Sequence, residues 1–96
     1  MRTVREDAAV HQALDAALDR WPRAEDAWDA VTWALARDPT VGKALNETGT
    51  IRSVVFDGAG SIGLPSLDVI YEFDEQLVSV RDVRFYDAPY PTAGTA

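Results

Sequence analysis

The chain contains no cysteine, so disulfides, thiolate catalysis and cysteine-ligated zinc are excluded, and redox chemistry says nothing about its compartment. It has one histidine, His11, so a metal site would have to be assembled from carboxylates, which are spread along exposed helix and strand faces. No cofactor or metal is expected. Positive charge is also scarce: nine Lys and Arg stand against sixteen Asp and Glu, for a net charge of -7. That field repels a phosphate backbone within a Debye length of roughly 8–10 Å and argues against nonspecific nucleic-acid binding. The shortage is uneven, because residues 1–52 carry nine acids and seven bases, whereas residues 53–96 carry seven acids and only Arg81 and Arg84. No apolar run approaches the roughly 20 residues of a membrane-spanning helix, and MRTVREDAAVHQALDAALDR has no uninterrupted signal-type apolar core. A soluble cytoplasmic protein is the expectation.

What is present suffices for one core. Hydrophobic residues make up 47% of the 96, with three each of Trp, Tyr and Phe. This predicts a single domain over residues 1–85 and a loosely held tail over 86–96, rich in proline and small residues. Val4, Ala8, His11, Leu14, Leu18 and Trp21 recur at three- and four-residue intervals, predicting an amphipathic helix with His11 partly buried on its apolar face. Trp21-Pro22 ends that helix, and Pro22 suits the first position of a second one whose inner stripe is Ala24, Ala27, Trp28, Val31, Ala34 and Leu35. Asp38-Pro39 ends the second helix, so the two form an antiparallel hairpin. Trp33 projects away from the inner stripe. It is either covered by a loop or by Tyr86 to Pro91, or it is a partner-binding or oligomer contact, where indoles are enriched.

The remainder reads as strands. Thr50 to Phe56 is β-branched, and Leu67, Val69, Tyr71 and Phe73 alternate with Asp68, Ile70 and Glu72 before the polar turn Asp74-Glu75-Gln76. Leu77 to Phe85 changes phase, since Val78 and Val80 share one face and Val83 and Phe85 the other. A one-residue bulge near Arg81-Asp82 would place all four on the core side. The predicted fold class is α+β, an N-terminal antiparallel helical hairpin packed on a three-stranded antiparallel sheet.

Two apparent motifs weaken on inspection. Gly58-Ala59-Gly60-Ser61-Ile62-Gly63 matches the dinucleotide fingerprint by letters, but Leu64-Pro65 and a strand follow where a helix N-terminus must hold the pyrophosphate. Asp68, Glu72 and Asp82 are acidic neighbours on the hairpin, and Arg52, Arg81 and Arg84 are placed to pair with them across the ladder. Ser53, Ser61, Ser66 and Ser79 have no evident base partner.

The helical hairpin, the strap Asp38-Pro39-Thr40-Val41-Gly42 with Leu45 beyond it, and VIYEFDEQLVSV followed by RDVRF together resemble the RelE/ParE toxin superfamily over roughly Asp7 to Phe85. The resemblance implies an antiparallel sheet with two helices packed on it. It also implies either ribosome-dependent messenger-RNA cleavage or DNA gyrase inhibition, and neutralisation by an antitoxin that wraps the toxin. The ribonuclease branch holds phosphates on a basic concave sheet, with an arginine or tyrosine near the C-terminus. This chain instead has Asp68 three residues before Tyr71, where the family often carries arginine, and Tyr86-Asp87-Ala88-Pro89-Tyr90 where further cations belong. Arg52, Arg81, Arg84 and Tyr86 are the remnants of such a site, and Arg2 to Val4 is a poor substitute for the family's short N-terminal strand. The reading is therefore a toxin or toxin-derived protein that works by protein binding rather than as a nuclease. The alternative is a structural or interaction domain without a toxin role, homodimeric through Trp33 or a strand edge.

Overall fold

A computed structural model describes residues 1–88. The architecture is α+β in two layers, two helices on one face of a five-stranded mixed sheet. In chain order the elements are β1 (Thr3–Glu6), α1 (Ala8–Arg20), α2 (Ala24–Arg37), β2 (Lys43–Ala44), β3 (Ile51–Phe56), β4 (Ser66–Phe73) and β5 (Leu77–Tyr86). Short 3-10 turns occupy Pro39–Val41 and Gly60–Ile62. Spatial order is β1-β5-β4-β3-β2, with β1 parallel to β5 and every other pairing antiparallel. The sheet thus has five strands rather than three; the expected antiparallel trio is its centre, and β1 and β2 are edges.

β1 corrects the expectation that Arg2 to Val4 provides no N-terminal strand. Thr3 pairs with Leu77 and Glu6 with Val80, while Arg2 N–H donates to Ala36 C=O at 2.8 Å. Val4 belongs to this strand and not to α1, which begins after Asp7, whose carboxylate accepts from Val10 N–H at 3.2 Å as an N-cap. The helix is consequently rotated from its expected setting. Val10 and Ala17 are buried, with Ala13 and Leu14 packed behind them, and the His11 side chain is 63% exposed instead of lying in the core. The alanines at 13 and 17 keep this helix face low, which lets it lie close to β5.

α2 ends at Arg37 before Asp38-Pro39, as the sequence predicts, but starts at Ala24, Pro22 and Arg23 remaining in the turn between helices. Its buried residues Ala27, Trp28, Val31 and Leu35 share one core with Leu67, Val69 and Tyr71 of β4 and Val78, Val80 and Val83 of β5, and Ala24 is buried at its start. Full burial of each valine or leucine among them contributes about 1.5–3 kcal/mol from water exclusion. β5 reaches the core at both ends because its register slips by one residue: Ile70 faces Asp82, but Tyr71 faces Val80, leaving Arg81 in a bulge. Without that extra residue Val83 would point to the opposite face from Val80.

The strap after α2 is more regular than its composition suggests. Asp38 accepts from Thr40 N–H at 3.0 Å and opens the 3-10 turn, Pro39 is buried, and Lys43-Ala44 pairs with Ser53 and Arg52. Gly42 is required there, because a Cβ would fall 2.6 Å from both Ser53 C=O and the Tyr71 hydroxyl. β5 runs to Tyr86, one residue beyond the expected domain boundary. Asp87 accepts from Arg20 at 2.9 Å and from the Trp21 indole N–H at 2.8 Å, which anchors the chain to the end of α1. The rest of the expected tail, 89–96, lies outside the described residues.

Candidate functional site

Strand register sorts the candidate residues onto two faces of the sheet. Leu67, Val69 and Tyr71 face the helices, so Asp68, Ile70 and Glu72 project from the opposite, uncovered face. Arg84 pairs directly with Asp68 across β4 and β5, and Tyr86 lies one residue pair further on the same face. The Asp68 carboxylate is shared between them: Arg84 Nη2 donates to Oδ2 at 3.1 Å and the Tyr86 hydroxyl donates to Oδ1 at 3.0 Å. The Arg84 guanidinium also sits 5.3 Å from the centre of the Tyr86 ring. Partial burial and the adjacent Asp68 charge push the Tyr86 phenol above its ordinary range, favouring the neutral donor.

The bulge aims Arg81 at the same face, where its Nη2 donates to Glu72 Oε1 at 2.7 Å. Asp82 has a different role, accepting from the N–H of Val83 at 3.0 Å. Both β5 arginines are therefore matched with carboxylates on β4, as the ladder spacing predicted.

Arg52 is not part of this cluster. It faces Tyr71 in register and so lies on the helix side of the sheet, where its guanidinium is used by backbone: Nε donates to Gly49 C=O at 2.8 Å and Nη1 to Gly42 C=O at 2.9 Å and Thr40 C=O at 3.3 Å. Arg52 holds the strap and the turn after it against β3. The four residues identified as remnants of a basic site thus divide into Arg84 with Tyr86, Arg81 with Glu72, and Arg52 on the other side of the sheet. They do not converge on one position where a phosphate would sit.

No family model matches the chain, and no curated protein or solved structure is significantly similar to it.

Other groups with chemical potential have structural partners. Glu6 points between the helices, accepting from the Trp28 indole N–H at 2.7 Å through Oε1, with His11 Nε2 3.3 Å from Oε2. Ser66 is buried and its hydroxyl accepts from Gly58 N–H at 3.0 Å. Gly58 is needed for close packing, because a Cβ would meet the carbonyl oxygens of Leu64 and Pro65 at 2.3 Å; the glycine-rich loop is a tight strand connection with no helix to receive a dinucleotide. Among the described residues, no three His, Cys, Asp or Glu side chains gather in a way that would hold a metal ion, and no helix is long and apolar enough to cross a membrane.

A further surface feature is apolar. Trp33 is 58% exposed on α2, with the Arg37 guanidinium 4.4 Å from its ring centre. Residues 86–88 do not cover it, since Tyr86 and Asp87 are engaged at Asp68 and at Arg20 and Trp21; the part of the expected cover at 89–91 lies outside the described residues. Beside it, Ala30 and Ala34 of α2, Val41 of the strap and Val54, Val55 and Phe56 of β3 line an open cavity of about 230 Å³. Val41 and Val55 are themselves about half exposed. The sequence marked Trp33 but not this groove, because its two walls lie more than ten residues apart in the chain and only the tertiary fold brings α2 alongside β3.

Proposed function

We propose that this chain is a RelE/ParE-like toxin or toxin-derived protein that acts by binding a protein target, is neutralised by an antitoxin, and lacks the basic ribonuclease site. The observation that carries this reading is the pairing of Arg84 with Asp68 and of Arg81 with Glu72 on the uncovered sheet face. A site that stabilises a phosphoryl transition state keeps preorganised cations aimed at the developing charge, whereas these cations face carboxylates of their own sheet. Strand β1 is consistent with the short N-terminal strand that the resemblance calls for. The exposed Trp33 beside an apolar groove supports protein contact as the mode of action.

Inducible expression with and without the neighbouring gene, followed by copurification, tests this reading. Growth arrest is expected to be relieved by coexpression of that gene and to persist in the double variant Arg81→Ala/Arg84→Ala. Arrest abolished by the double variant, with folding intact by circular dichroism, would mean a nuclease. Arg52 is left in place because its removal frees three backbone carbonyls. A stable protein with no growth effect and no partner would favour the second reading, a non-toxin interaction domain that dimerises through Trp33 or a strand edge.

A further inference from the structure

We propose that the open edge of β3, with the apolar groove between it and α2, is a docking site for an extended segment of another protein that alternates apolar residues with basic ones. The proposal rests on the protein-binding reading above and names the partner chemistry for that surface.

The edge is open because β2 is two residues long. It pairs Lys43 with Ser53 and Ala44 with Arg52, and Leu45 N–H donates to Ile51 C=O at 2.8 Å, so β2 covers only the first half of β3. Peptide groups alternate in direction along an antiparallel strand. Those of Ile51 and Ser53 serve β2, those of Arg52, Val54 and Phe56 serve β4, and those of Val55 therefore point to the uncovered side. An unpaired N–H and C=O flanked by β-branched and aromatic side chains is a template for one more strand, which would lie about 4.8 Å from β3. Every second side chain of that strand would enter the groove, where Ala30 and Ala34 leave room and Val41 forms the floor. Trp33 does not line the groove, but it follows Ala30 by three residues and is therefore its neighbour on the helix surface, where it offers a large exposed flat contact next to the groove.

Charge selects among occupants. The groove lining is entirely uncharged, while the chain as a whole carries -7, a field that draws a cationic segment in. Exposed Asp57 follows directly on the open edge and is placed to meet a basic side chain at that end; the cations of the surface lie elsewhere, Lys43 at the opposite end beside Ser53 and Arg37 over the Trp33 ring on the helix side. A second copy of this chain would bring -7 against -7 and is disfavoured.

The test titrates the purified protein with a synthetic octapeptide of alternating valine and lysine, and with its valine–glutamate counterpart. With the lysine peptide, the Val55 amide is expected to gain about tenfold protection from hydrogen exchange and Trp33 emission to shift to the blue. The glutamate peptide, and the lysine peptide on Ala34→Phe, are each expected to bind about tenfold more weakly. Val55→Pro is the second variant, since it deletes the edge-facing N–H without filling the groove. Absence of Val55 protection overturns the proposal, as does equal affinity for both peptides or unchanged affinity in both variants. Protection without peptide, accompanied by a dimer mass in light scattering, would assign the edge to a second copy and overturn it as well. Peptide docking without growth arrest would retire the toxin-like reading and keep the docking site; arrest without docking would do the reverse.

Discussion

The Tyr71 phenol is fully buried and uses its hydroxyl twice, donating to Pro39 C=O at 2.5 Å and accepting from Gly42 N–H at 3.0 Å. The sequence pattern places Tyr71 on a strand; its bonds to the strap explain why a tyrosine, rather than any aromatic residue, closes this part of the core. Tyr71→Phe keeps the packing but leaves both strap groups unpaired, and is expected to lower stability in urea by about 1–3 kcal/mol. The pH dependence has a definite sign. Burial raises the Tyr71 pKa above its ordinary value of 10.0, with donation from Gly42 N–H opposing the shift. At alkaline pH the unfolded chain loses its phenolic protons first, so stability falls as pH rises through about 10 and beyond. The urea midpoint of Tyr71→Phe should fall less steeply there, with Tyr86 responsible for the remaining slope. At the acid end, Asp38 is held below the usual carboxylate value of 3.8 chiefly by donation from the Thr40 side chain, and Asp74 by the N–H groups of Gln76 and Leu77. Their contribution is present above about pH 4 and is lost as pH falls through their lowered values.

Among the elements, α2 and the β4–β5 hairpin were legible because each carries its own period: 3.6 for Ala24, Ala27, Trp28, Val31 and Leu35, and 2 for Leu67, Val69 and Tyr71. The bulge was legible too, since valines at 78, 80 and 83 cannot share a face without an inserted residue. β1 was hidden for two reasons. Its inward positions are Val4 and Glu6, and an inward carboxylate breaks the apolar alternation; its partner, β5, lies more than seventy residues away. Glu6 earns that inward position by accepting from the buried indole of Trp28. Glu6→Ala leaves this N–H unpaired and is expected to cost about 1–3 kcal/mol. In that variant, hydrogen exchange should show the β1 amides opening well before those of β3 to β5. Equal protection across all five strands would mean that β1 is held without Glu6. By contrast, the exposed pair Asp68–Arg84 is of the kind that contributes about 0–1 kcal/mol, so its significance lies in occupying the arginine rather than in stability.

For the whole molecule, a charge of -7 means that self-repulsion opposes the compact state. Raising sodium chloride from about 0.01 to 0.5 M, which shortens the Debye length from about 30 Å to a few ångströms, is expected to raise the thermal midpoint. A fall in the midpoint would show that the surface ion pairs outweigh the repulsion. The amino-acid sequence by itself determined the charge, the helical hairpin, the central antiparallel strands and the phase change in β5. These follow from composition and from periodicities that repeat within a few residues. Only the tertiary structure decided that the N-terminal segment is a parallel edge strand, that His11 faces water, that Arg52 lies across the sheet from Arg81 and Arg84, and that half of β3 has no strand on its outer edge. Each depends on register and on pairing between distant segments, where a shift of one residue turns a side chain to the opposite face of the sheet.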